Sequence, residues 1–91
     1  MTLKYEVETI TQTCGACPSQ WEGKLKDGRM FYIRYRWGTL SFRIAGKPTD
    51  YLSEVFQTKP VFDESIGDSL DGFITLNEVK AVLKLNEVVL S

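Results

Sequence analysis

Two dipeptides, Asp27-Gly28 and Trp37-Gly38, limit what this chain can fold into more than any other feature. Each interrupts a run rich in aromatic and β-branched residues, and glycine at such a point supplies the positive φ that tight hairpin turns require. Residues 20–45, Q-W-E-G-K-L-K-D-G-R-M-F-Y-I-R-Y-R-W-G-T-L-S-F-R-I-A, are therefore expected to form a three-stranded antiparallel meander.

Loop length decides which side chains share a face, because a slip of one residue turns a strand over. A two-residue loop at Asp27-Gly28 would set Lys24 across from Phe31 and Glu22 across from Ile33, mixing charge into an apolar face. A three-residue loop, Lys26-Asp27-Gly28, instead aligns Trp21, Gly23 and Leu25 with Ile33, Phe31 and Arg29. At Trp37-Gly38 a two-residue turn pairs Tyr35 with Leu40, Ile33 with Phe42 and Phe31 with Ile44. The apolar face is then Trp21, Phe31, Ile33, Tyr35, Leu40, Phe42 and Ile44. The opposite face holds Glu22, Lys24, Met30, Tyr32, Arg34, Arg36, Thr39, Ser41 and Arg43, with Tyr32 beside Arg43 and Glu22, and Arg34 beside Ser41.

Leu3, Tyr5 and Val7 alternate with Lys4, Glu6 and Glu8, which predicts a first strand to about Thr11 with odd positions inward. Residues 13–19, T-C-G-A-C-P-S, read as a loop. After Gly46-Lys47-Pro48, Thr49 or Asp50 is placed to cap a short helix to about Gln57, with Leu52, Val55 and Phe56 toward the core. Val61 and Phe62 suggest a short extended piece before the turn-rich acidic residues 63–72. Thr75 and Glu78 form a T-x-x-E capping box ahead of Leu76, Val79, Val82 and Leu83, spaced for an amphipathic helix. Residues 86–90 fit either an extension of that helix or an edge strand. The expected fold is one α+β domain, residues 1–91, with a four-stranded antiparallel sheet and two helices packed on its apolar face.

Hydrophobic residues at 43% and charged residues at 25% fit a globular domain. No apolar run approaches the ~20 residues of a membrane span, and the N-terminus lacks a signal-peptide pattern, so a cytoplasmic protein with no membrane partner is expected. The net charge of −1 hides an asymmetry: residues 1–48 hold eight Lys or Arg against four acids, and residues 49–91 eight acids against three Lys. A pI near 5.4 argues against general nucleic-acid binding.

Three signals bear on chemistry. Cys14 and Cys17 have metal-ligand spacing, but with no His and no third Cys the chain alone cannot complete a usual zinc site; a dimer pooling two pairs could. A redox pair would need a helix after the cysteines, where Pro18 and a strand are expected. The string Asp71-Gly72-Phe73-Ile74-Thr75-x-x-Glu78 resembles the back half of an EF-hand calcium loop, with Ser69 as a further oxygen donor. The first ligand position is then Gly67, so half the motif is missing, and the capping box accounts for Thr75 and Glu78 without calcium. Catalysis is disfavoured: there is no His, and no nucleophile elbow or phosphate loop.

The third signal is the basic face. Arg34, Arg36 and Arg43 project the same way, spaced for forked contacts with phosphate or carboxylate, and Tyr32 and Trp37 can stack on a base. The alternative is a solvated face whose arginines pair with Glu22 and other acids, or an oligomer interface.

The pattern C-P-S-Q-W-E-G with D-G-R-M-F-Y-I-R-Y-R-W-G resembles a small family of uncharacterised bacterial and phage proteins, over roughly residues 14–45. Small phage proteins of this size and style are similar to anti-defence factors, which sequester a nucleotide signal or block a host protein. The combined expectation is a non-catalytic binding module for an anionic, nucleotide-like ligand, using Tyr32, Arg34, Arg36, Trp37 and Arg43, in a homo-oligomer. The competing expectation is a protein that docks on a host partner through the same face or through the acidic residues 63–71.

Overall fold

In the computed structural model the chain runs β1 (Leu3–Tyr5), β2 (Val7–Cys14), β3 (Ser19–Leu25), β4 (Met30–Arg36), β5 (Thr39–Ile44), α1 (Leu52–Phe56), β6 (Phe62–Ser65), α2 (Leu76–Leu85) and β7 (Val88–Leu90). The structure describes residues 2–15, 18–67 and 72–91. The fold is α+β. Strands β2 to β6 form an antiparallel sheet in sequence order, and β1 pairs in parallel with β7 in a separate small sheet. Among the described residues no helix is long and apolar enough to cross a membrane.

Both hairpins take the registers that segregate apolar from polar residues. Trp21 faces Ile33 and Gly23 faces Phe31 across β3–β4; Phe31, Ile33 and Tyr35 face Ile44, Phe42 and Leu40 across β4–β5. At the first turn Gly28 has φ +90 and its N–H donates to the Leu25 carbonyl at 3.0 Å, closing the three-residue loop. The inner face is filled by Phe31, Ile33, Leu40 and Phe42, each fully buried, with Phe31 edge-on to Phe42 at 6.1 Å. Burial of each such side chain contributes about 1.5–3 kcal/mol.

Helix α2 lies over this face. Val79 and Leu83 are fully buried in the same cluster, joined by Ile74, Val88 and Leu90. Its N-terminus is the capping box: the Thr75 hydroxyl accepts from Glu78 N–H at 3.2 Å and donates to the Glu78 carboxylate at 2.9 Å. At the other end the chain turns at Asn86, and Val88–Leu90 leaves as a strand, not as more helix, alongside β1.

Four expectations are corrected. The main sheet has five strands rather than four, because Phe62–Ser65 does not stop at an isolated extended piece but pairs along β5. The first strand is two strands: β1 joins β7, and only β2 joins the meander, bonding to β3. Its inward phase also changes, since an irregularity between Val7 and Thr9 lets Ile10 instead of Thr9 stand opposite Gly23. Finally, the two helices do not share a face. Helix α1 covers the polar side: Phe56 meets Tyr32 edge-on at 4.9 Å, and the Arg43 guanidinium donates to the Thr58 carbonyl. Val55 is buried there, outside the main cluster, and Phe56 is 51% exposed instead of facing the core.

Buried Ser19 ties the loop before β3 to the segment before α2. Its hydroxyl proton is shared between the carbonyls of Gly15, at 2.9 Å, and Gly72, at 3.0 Å, and its oxygen accepts from Ile74 N–H at 3.2 Å.

Candidate functional site

The polar face of the sheet is built in cross-strand rows. One row runs Thr11, Glu22, Tyr32, Arg43; the next runs Cys14, Gln20, Arg34, Ser41, Asp63; the last holds Arg36, Thr39 and Ser65. Neighbours within a row stand about 4.8 Å apart along the hydrogen-bonding direction.

Helix α1 divides this face. Phe56 lies against Tyr32, Asp50 pairs with Lys24, and Arg43 is anchored on Thr58 just past the helix. The half nearer the Trp37 turn stays open as a groove of about 310 Å³ lined by Arg34, Arg36, Trp37, Thr39, Ser41, Arg43 and Asp63. Four of the five residues singled out from the sequence thus meet in one groove. Tyr32 does not: it lies beneath Phe56, one row away. Burial pushes its phenol pKa up, with the Arg34 charge opposing and the charges of Glu22 and Cys14 reinforcing the rise.

Among the described residues none of Arg34, Arg36 and Arg43 is in an ion pair, with Glu22 or any other acid, and neither is Asp63. Arg34 Nε is buried without an acceptor, an arrangement that costs stability unless something else supplies one. The Arg36 guanidinium lies 4.9 Å from the centre of the Trp37 ring, a cation–π contact.

The turn that carries Trp37 is of the hairpin type with two left-handed residues, Trp37 at φ 56 and Gly38 at φ 71. Gly38 is at home there; tryptophan is not, since the left-handed region crowds its Cβ. The ring is nevertheless 60% exposed, so burial does not account for it. The turn is held from outside: the Gly38 carbonyl accepts from Ile66 N–H at 2.8 Å and Gly67 N–H at 3.1 Å.

Asp63 and Cys14, two chemically significant residues of this face, were not evident from sequence. Asp63 joins because β6 pairs with β5, which sets it opposite Ser41; the pattern Phe62-Asp63 at the start of an acidic run concealed the strand. Cys14 joins because a second irregularity, between Gln12 and Cys14, moves it opposite Gln20. Its proposed zinc partner Cys17 lies outside the described residues, as do Ser69 and Asp71 of the calcium-like string. Among the described residues no three His, Cys, Asp or Glu side chains gather as a metal cluster.

The arrangement offers forked donors for an anion, an indole for stacking, two hydroxyls and one carboxylate acceptor. No family model, curated protein or solved structure matches the chain.

Proposed function

We propose that this chain is a non-catalytic binding module whose groove holds an anionic ligand with a planar portion, of the nucleotide kind. The observation that carries the reading is the meeting of Arg34, Arg36 and Trp37 in one groove where, among the described residues, the guanidiniums make no ion pair. A phosphate there gains charge-assisted bonds from Arg34 and Arg36, two positions apart on β4, and from Arg43 on neighbouring β5. Trp37 adds stacking worth about 1–3 kcal/mol per base.

The test is ligand-induced thermal stabilisation with a panel of nucleotides, on wild type and on Arg36→Ala, Arg34→Lys and the Arg34→Ala/Arg36→Ala pair. Arg36→Ala removes a half-buried side chain and is expected to leave the fold intact. Arg34→Lys keeps the charge but loses the fork, and is expected to weaken binding about tenfold or more. A stabilising response of equal size in the double variant defeats the proposal.

A second reading is favoured by the exposure of Trp37, Phe56 and Tyr51, at 60%, 51% and 71%. Exposed aromatics beside arginines are the composition of a protein interface. On that reading no nucleotide stabilises the protein, and a host protein co-purifies with wild type but not with Trp37→Ala.

A further inference from the structure

The carboxylate of Asp63 is the one feature of the groove that a simple anion site does not call for. It lines the same cleft as three guanidinium groups, yet makes no ion pair among the described residues. A free phosphate or sulfate would gain from the arginines and be repelled by Asp63. A ligand that spans the groove avoids the conflict if its far end presents hydrogen-bond donors.

The register sets the span. Ser41 stands between Arg34 and Asp63, so the anion-binding and acceptor ends are two strand spacings, roughly 10 Å, apart. Between and beside them lie the Trp37 indole, already stacked with Arg36, and the hydroxyls of Thr39 and Ser41.

A carboxylate is acceptor-only, with two oxygens in one plane. The purine edge that matches it carries two adjacent donors, and guanine has such a pair in its ring N1–H and exocyclic N2–H₂. Adenine offers one donor beside a ring nitrogen whose lone pair would face the carboxylate. Thr39 and Ser41 can donate to the guanine carbonyl or to the sugar.

We infer that Asp63 reads the base, and that the groove takes guanine nucleotides, the phosphate lying toward Arg34 and Arg36 and the base on Trp37. The inference rests on the anion-binding reading of the same groove and narrows its ligand class. A bidentate contact to a base edge discriminates by about 5- to 150-fold, and the exposure of Asp63 places the expectation near the lower end, roughly tenfold.

The experiment is calorimetric titration of wild type and Asp63→Asn with GDP, ADP, IDP, 2′-deoxy-GDP and pyrophosphate. The expected result is GDP tighter than ADP by roughly tenfold, IDP falling toward ADP because it lacks the N2 amine, and 2′-deoxy-GDP matching GDP. Asp63→Asn should bring the GDP-to-ADP ratio to within about twofold of unity. GDP and ADP binding alike, or a guanine preference that survives Asp63→Asn, overturns the inference while leaving the anion site standing. A loss on removing the 2′-hydroxyl with no loss on removing the amine also overturns it, since Asp63 would then read the ribose. Absence of any binding, pyrophosphate included, overturns both this inference and the reading beneath it.

Discussion

Replacing Trp37 by asparagine should leave the protein as stable as before or more so, although it removes the largest side chain of the turn. Trp37 sits at φ 56, where a residue with a Cβ is about 1–2 kcal/mol less stable than in right-handed or extended backbone. Asparagine tolerates that region and is favoured beside glycine in this turn. Against the relief stands the loss of the 4.9 Å contact with Arg36, worth about 0.5–1 kcal/mol at an exposed site. Little hydrophobic burial is lost, because the ring is 60% exposed. The net expectation runs from about zero to 1 kcal/mol of stabilisation. Four proteins separate the terms: wild type, Trp37→Asn, Arg36→Ala and the double variant. In the Arg36→Ala background the contact is already absent, and the same substitution should yield about 1 kcal/mol, or a Tm rise of roughly 4–8 °C for a domain this size. Urea and thermal unfolding of the four measure it. A loss of more than about 0.5 kcal/mol in the Arg36→Ala background would refute the reasoning, and would make Trp37 a packing residue rather than one retained at the cost of local strain. The stabilised variant should bind nucleotide more weakly than wild type, a trade of stability against function.

Three further outcomes follow from the geometry. A Cβ on Gly23 would lie 2.0 Å from the Thr9 carbonyl oxygen and 2.9 Å from the Phe31 ring. Gly23→Ala should therefore destabilise by about 3 kcal/mol or more, and a drop in the urea midpoint equivalent to less than about 1 kcal/mol would contradict the close approach of β2 to β3. Ser19→Ala strips the acceptor from the buried Ile74 N–H, with an expected cost of about 1–3 kcal/mol and faster amide exchange at Ile74. The Tyr32 phenol titrates above its ordinary 10.0, chiefly because it is partly buried. The folded state thus holds this proton more tightly, and the resulting stability is fully present below pH 10.0 and is lost as pH rises through the folded-state pKa. Tyr32→Phe should flatten the fall in urea midpoint between about pH 9 and pH 11, and an unchanged slope would show that the ring's surroundings do not favour the neutral form.

The part of this molecule that sequence makes legible is the part governed by local chemistry. Glycine at Gly28 and Gly38 determined two turns, and with the period-two pattern of Phe31, Ile33 and Tyr35 the turns determined both registers, hence which residues share a face. The capping box at Thr75 and Glu78 placed α2 for the same reason. What failed depends on distant partners. Val55 and Phe56 have the apolar character of a core-facing helix, but nothing within residues 49–57 says which side of the sheet the connection from β5 will cross; Lys24, Tyr32 and Arg43 decide it by meeting Asp50, Phe56 and Thr58. Strand β6 was hidden because an edge strand needs only Phe62 inside, and its charged residues look like loop. The groove inherited both effects, gaining Asp63 and losing Tyr32.

The chain has two tryptophans, and the sheet puts them in opposite surroundings: Trp21 is 3% exposed in the core, Trp37 60% exposed on the turn. Indole emission moves to shorter wavelength in apolar surroundings and is quenched by solutes that can reach the ring. One emission band therefore holds two separable signals, a blue, quencher-protected component from Trp21 that disappears only when the protein unfolds, and a red, quencher-accessible one from Trp37 that would change if the proposed ligand entered the groove. Trp21→Phe leaves the second signal alone. The native protein thus carries its own optical probe for testing the proposed occupancy, distinguishable from its probe for folding, without any label attached.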